Sequence, residues 1–242
     1  MKIAHLKRLA VILCVLLFIS MVAFCSRGGK GSSKETKSEI ETHEYVDLGL
    51  SVKWATCNVG ATSPEECGGY FAWGDVQMSD AYILGTYKYA DKFNNGGFVF
   101  PTGEVTKYCT NPIDGKVDNK TILEPSDDVA RVNWGGSWRM PTKAEMDELK
   151  DENNCTWTWI TQNDVNGYKV TSKKNGNSIF LPAAGIIDNF FKTYEGEIGC
   201  YWSSSLTTVS SHLAFRLYFD SDKVDCKNYN RPYGLSVRPV CE

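Results

Sequence analysis

Histidine is scarce in this chain, with three in 242 residues. His5 falls in an N-terminal leader and His43 in a polar stretch, which leaves His212 alone for a folded domain. A single histidine excludes paired-histidine zinc motifs and supplies one candidate base for any Ser-His-Asp triad. The chain also lacks G-x-S-x-G and C-x-x-C, so neither a nucleophile elbow, nor a zinc ribbon, nor a thioredoxin-type redox site is expected. A formal net charge of -3 gives no electrostatic reason for a nucleic-acid partner. His212 opens the cleanest strand pattern and is read as a strand residue, so no catalytic residue is assigned and the chain is not expected to be an enzyme.

What is abundant points elsewhere. The 7 Trp, 12 Tyr and 11 Phe fill cores, and also build recognition surfaces for carbohydrate or protein. Lys2, Lys7 and Arg8 precede an apolar run from Leu9 to Phe24, shorter than the roughly 20 residues that span a bilayer. That layout is a secretory signal, and Cys25 at its end resembles the acylated cysteine of a bacterial lipoprotein. Cleavage to a soluble product and an uncleaved signal anchor are the alternatives. Ser26 to Glu44 is rich in Gly, Ser, Lys and Glu and reads as a flexible tether. The expected organisation is therefore a signal over residues 1–25, a tether over 26–44 and one domain over 45–242. The protein is expected in the cell envelope, lipid-anchored to the outer membrane or facing the periplasm, with secretion as the alternative.

Of 9 cysteines, seven lie in the domain: Cys57, Cys67, Cys109, Cys155, Cys200, Cys226 and Cys241. Export permits disulfides, and an odd count leaves at least one thiol unpaired. Cys57 with Cys67, and Cys226 with Cys241, each flank a turn that a disulfide could close, though neither pairing follows from the sequence.

Along the domain, Tyr45 to Cys57 alternates as a strand broken at Gly49, and Gly68 to Gly74 is a turn leading into a short aromatic strand. Asp75 to Pro125 reads as long loops with short pieces of structure. Helix signals occur only in the middle. Pro125-Ser126-Asp127-Asp128 caps a short helix from Val129, and Thr142-Lys143-Ala144-Glu145 is a capping box for a second that ends near Asn153-Asn154. The second half alternates as strands. Asn166-Gly167 and Asn175-Gly176 are expected hairpin turns. Leu213, Phe215, Leu217 and Phe219 are expected to face the core, with Ala214, Arg216 and Tyr218 outward. Strands, two short helices, then strands predict an α+β domain with a largely antiparallel sheet.

Five segments in order carry a family resemblance: Val46-Asp47-Leu48-Gly49-Leu50-Ser51-Val52-Lys53-Trp54-Ala55, Trp138-Arg139-Met140-Pro141-Thr142 with Glu145, Phe180-Leu181-Pro182-Ala183-Ala184-Gly185, Tyr201-Trp202-Ser203-Ser204, and Gly234-Leu235-Ser236-Val237-Arg238-Pro239-Val240. Together they resemble the Fibrobacter succinogenes major paralogous domain, found in secreted and lipid-anchored bacterial proteins. The Arg-Met-Pro-Thr-x-x-Glu segment is similar to a helix of formylglycine-generating-enzyme-like proteins. The resemblance implies a C-type-lectin-like fold with paired first and last strands, and assigns no activity. Cys200, Cys226 and Cys241 lie where formylglycine generators keep cysteines, without a matching motif.

Calcium is the one cofactor the lectin likeness raises. Glu124-Pro125-Ser126 is similar to a lectin ligand motif but lies before the helices, and Asp220, Asp222 and Asp225 read first as a solvated turn. No metal ligand is assigned. The C-terminal run from Trp202 to Arg238 is similar to segments that some lectin-like proteins diversify. Trp202, Ser204, Arg216, Tyr218, Asn228, Tyr229, Asn230 and Arg231 are the expected ligand-binding surface, for a glycan or a protein. The expected function is an envelope-displayed binding or adhesion module. A structural component of the envelope or of fimbriae is the alternative, and an unrecognised enzyme a third.

Overall fold

The last twelve residues of the domain run antiparallel to its beginning. In a computed structural model that describes residues 43–95 and 98–242, β1 (Tyr45–Val46) pairs with β2 (Lys53–Ala55), and β2 pairs with β13 (Val240–Cys241). Trp54 sits opposite both Val46 and Val240. The pairing continues beyond the strands: Val59 N donates to Val237 O, Phe71 bridges Leu235, and Trp73 N donates to Arg231 O. The tail is thus an internal spine, with Leu235, Val237, Arg238 and Val240 buried. The leader, Cys25 and the tether up to residue 42 lie outside the described residues. No helix among the described residues is long and apolar enough to cross a membrane.

The helices follow their caps. Pro125–Asp127 makes a 3-10 turn, and the Asp128 carboxylate then accepts from the backbone of Ala130 and Arg131 to start α1 (Val129–Trp134). Thr142 and Glu145 form the expected capping box at α2 (Lys143–Lys150). The Glu145 carboxylate also receives two guanidinium bonds from Arg139, at 2.8 and 2.6 Å. This helix stops at Lys150, short of the predicted Asn153-Asn154 end.

The remaining strands are antiparallel. Within the stretch read as loops, β3 (Ala90–Asn95) pairs antiparallel with β4 (Phe98–Val105). One sheet holds β5 (Cys155–Gln162), β6 (Val165–Ser172) and β7 (Ser178–Pro182). A short hairpin pairs β8 (Ile186–Asp188) with β9 (Phe191–Thr193). The last sheet holds β10 (Gly199–Leu206), β11 (Leu213–Phe219) and β12 (Val224–Asn230). The expected turn at Asn166-Gly167 is corrected. Asn163 and Asp164, at φ 48° and 64°, make the β5–β6 turn, and Gly167 lies inside β6. A Cβ there would stand 2.3 Å from Leu181 O, so glycine is needed for strand approach. Asn175-Gly176 does turn the chain, with Gly176 at φ 79°.

Two apolar clusters flank the β10–β11–β12 sheet. Trp73, Tyr87, Tyr108, Met140, Cys200, Trp202, Ala214 and Leu235 belong to the first. Trp54, Met146, Leu149, Val170, Tyr201, Leu217, Phe219 and Val240 belong to the second. Alternation along β10 sends Cys200 and Trp202 to one cluster and Tyr201 to the other, so every residue of β10 is buried. The expected inside–outside split of β11 is corrected for the same reason. Arg216 is buried, while Phe215 is half-buried beneath the Lys143 ammonium. The seven domain cysteines are free thiols, so neither of the two pairings the spacing left open is formed. Cys67 donates instead to Glu195, and Cys241 packs with Ala55 and Trp138.

Candidate functional site

Four elements meet around a cavity of about 320 Å³ lined by Ile83, Leu84, Tyr87, His212, Asn230 and Tyr233, with Val105, Asn189, Arg231 and Pro232 completing the wall. The turn Ile83–Tyr87 is closed by Tyr87 N donating to Ile83 O. It is held from behind by Tyr82, whose hydroxyl donates to Tyr70 O and whose backbone bridges Asn189. The β8 strand is pinned to the tail by a reciprocal pair, Ile187 N to Gly234 O at 2.8 Å and Gly234 N to Ile187 O at 2.9 Å. A Cβ on Gly234 would meet the Tyr82 ring at 2.8 Å, so glycine brings these segments together.

Arg231 supports the cavity rather than reaching into it. Its side chain is wholly buried. Nε donates to the Tyr87 hydroxyl at 2.8 Å, and the guanidinium donates to the carbonyls of Tyr108, Ser211 and Lys107. The rings of Trp73, Tyr87, Tyr89 and Tyr108 surround it. Carbonyl oxygens and aromatic faces replace a carboxylate partner for this cation. Arg238 is solved similarly, through Asn58 Oδ1 and the carbonyls of Ala55 and Thr56, and burial holds it below its ordinary pKa.

His212 stands at the cavity with Asp114 beside it, Nε2 to Oδ1 at 3.7 Å. The sequence reading named no partner for His212; Asp114, almost a hundred residues away, is one. Burial opposes ionisation of Asp114, but the Ser211 N–H, at 2.6 Å, and the Ser211 and Ser210 hydroxyls hold its carboxyl below the usual range. The charge on Asp114 therefore fixes the Ser210–His212 turn at the cavity mouth.

The predicted surface residues separate. Asn230 and Arg231 line the cavity. Tyr229 is half-buried, its ring 5.1 Å from that of Tyr233, with the Arg216 guanidinium 3.8 Å from the centre of the Tyr229 ring. Arg216 and Tyr229 thus brace the wall residue Tyr233. Trp202, Ser204 and Arg231 are corrected from surface to interior. Trp202 Nε1 donates to Phe71 O at 2.8 Å, and Ser204 Oγ to Pro141 O. Tyr218 donates to Asp220 on its own hairpin, and Asn228 is exposed on β12, so neither joins the cavity. Sequence reasoning missed Tyr233 and Pro232, which directly follow Arg231. It also missed Ile83, Leu84 and Tyr87, whose short turn has no periodicity to reveal it.

The carboxylates weighed for calcium are engaged within the protein. Asp127 meets the ammonium groups of Lys88 and Lys107 and the Tyr108 hydroxyl, and Glu124 meets Lys107 and Lys120. Asp220 accepts from Tyr218 and from the backbone of Asp222 and Lys223. Among the described residues no group of three or more His, Cys, Asp or Glu side chains gathers as a metal site.

A family model described as a domain of unknown function (DUF8237) matches residues 157–240. The match runs from β5 to β13 and includes Asn230 and Tyr233, but not the Ile83–Tyr87 turn. No curated protein and no solved structure matches the chain.

Proposed function

We propose that this protein is an envelope-displayed binding or adhesion module, lipid-anchored at Cys25, whose ligand seats in the cavity between Tyr87, His212, Asn230 and Tyr233. The observation that carries the reading is the composition of that cavity. Apolar walls of Ile83, Leu84 and two tyrosines carry a few polar groups, Asn189, Asn230 and His212, which is how ligand sites are generally built. A glycan or a protein loop is the ligand class. The C-type-lectin-like fold and the kinship to the Fibrobacter succinogenes major paralogous domain are part of the proposal, supported by the paired first and last strands.

The test is a glycan array and a partner capture with the full chain, each repeated with Asn230→Ala and Tyr233→Ala. Loss of the captured ligand in both variants, with the melting temperature kept, supports the cavity. Normal binding by both would move the site elsewhere. For the anchor, Cys25→Ala should abolish incorporation of a fatty-acid analogue, and unchanged labelling would refute lipidation.

The alternative role, an assembly component, has one observation in its favour. The β8–β9 hairpin exposes Phe190, Phe191 and Tyr194, at 63%, 71% and 56%. Self-association lost in Phe191→Ser would support it.

A further inference from the structure

A second recess, larger than the cavity and sharing no residue with it, opens where the end of α2, the start of β5 and the β11–β12 turn converge. Its volume is about 740 Å³. Trp157 and Tyr168 line it, with rings 5.4 Å apart and edge to face. Their polar atoms are spent on the backbone: Trp157 Nε1 donates to Leu149 O at 3.1 Å, and the Tyr168 hydroxyl to Ser221 O at 3.3 Å. Phe219 buttresses Tyr168 at 5.3 Å. The aromatic floor is therefore fixed, and what it offers a ligand is chiefly apolar ring surface.

The rim is charged. Lys150, Lys173 and Lys223 supply ammonium groups, Glu152 and Asp222 carboxylates, and Thr156 a hydroxyl. The lysines are loosely used. Lys150 lies 3.5 Å from Asp225 and 3.9 Å from Asp147, and Lys223 lies 3.6 Å from Asp220. Lys173 makes no ion pair among the described residues. Elsewhere Lys107, Lys120 and Lys192 close on carboxylates at 2.5–2.6 Å. A charge-assisted bond at full strength needs that closer approach. Three cations and two carboxylates line the rim, and since Asp147, Asp220 and Asp225 stand beside Lys150 and Lys223, Lys173 is the cation with most charge left for a ligand.

A rigid aromatic floor suits the C–H face of a sugar ring. Carboxylates and a hydroxyl at the rim suit its hydroxyl groups, and under-used ammonium groups suit an acid. A nucleic acid would need a longer basic track, and a wholly apolar ligand would strand the rim charges. We propose that this recess binds an acidic saccharide, with a pyranose ring packed on Trp157 and its carboxylate among Lys150, Lys173 and Lys223.

The experiment titrates the purified full chain, at low salt, with trigalacturonate, a hyaluronan tetrasaccharide and sialyllactose. The methyl ester of trigalacturonate and polyphosphate serve as controls. Calorimetry and tryptophan fluorescence report binding. At least one acidic saccharide should bind saturably, and esterification should weaken trigalacturonate, where it is the ligand, about tenfold or more, the loss expected for one charge-assisted contact. Lys173→Glu should weaken the bound sugar similarly without moving the melting temperature, because Lys173 is exposed. Trp157→Leu should remove the fluorescence response, and Asn230→Ala should leave binding unchanged, which separates this recess from the cavity. Binding by none of the three sugars overturns the proposal. So does polyphosphate binding as tightly as the sugar, or binding that Lys173→Glu leaves intact.

Discussion

Two of the three-stranded sheets, β5–β6–β7 and β10–β11–β12, have similar strand lengths and opposite environments. In β5, exposed Thr156 and Thr158 alternate with more buried Cys155, Trp157 and Trp159, since one face of that sheet meets water. In β10 every residue is buried, because an apolar cluster lies on each face. A polar residue on the wet face of β5 is solvated, whereas on β10, or at Arg216 of β11, it must find a partner inside. Ser203 Oγ donates to Phe215 O, Ser204 Oγ to Pro141 O, and Arg216 stacks on Tyr229. The lesson is that alternation reports two faces, and only a second layer decides whether the polar face is wet.

Breaking the comparison is most direct at Trp202. If both faces of β10 are covered, Trp202→Ala should cost about 3–5 kcal/mol in urea unfolding. A loss below about 1 kcal/mol would return that ring to the surface. A second test uses the thiol on the same strand. Burial pushes Cys200 up to about 11, against the opposing pull of Arg216. From an ordinary thiol value of 9.0 that shift leaves about a hundredfold less thiolate near pH 8. Labelling of Cys200 should therefore lag that of a free thiol such as N-acetylcysteine at least that much, and equal rates would contradict a sealed face. As pH rises toward 11 the lag should shrink.

Gly199 sharpens the contrast at the sheet edge. It lies under Phe219, and an added Cβ would meet that ring at 1.9 Å. Gly199→Ala should cost about 1–3 kcal/mol by overpacking. Phe215→Ala should cost about 1 kcal/mol, less than the 3–5 kcal/mol of a core ring, because Phe215 is half-buried and capped by Lys143. Smallest is Thr158→Ala on the wet face of β5, opposite exposed Lys169. It should stay within about 0.5 kcal/mol, and a larger loss would mean that face is covered too.

Local chemistry was legible where neighbours in sequence settle it. The Thr142–Glu145 capping box and the Asp128 cap are set by side chains three residues or fewer from the backbone groups they satisfy. The Asn175-Gly176 turn follows from a backbone conformation that glycine adopts at little cost, as does the break at Gly49. The Asn166-Gly167 misreading shows the limit. That dipeptide also fits a strand where a neighbouring carbonyl leaves no room for a side chain, and the approach of β7 chose that use.

The sequence by itself therefore determined an α+β chain of antiparallel strands with two capped helices in the middle. It also placed Asn230 and Arg231 in the stretch that reaches the cavity. Tertiary structure alone decided that Trp202 and Arg216 are interior, and that Arg231 is a buried brace. It alone set His212 beside Asp114, and Tyr87 opposite Tyr233. The reason is physical: periodicity records that a strand has two faces, but whether a face meets water depends on the layer packed against it. That layer comes from segments a hundred or more residues away, such as the tail that runs back past Trp54, Val59 and Phe71.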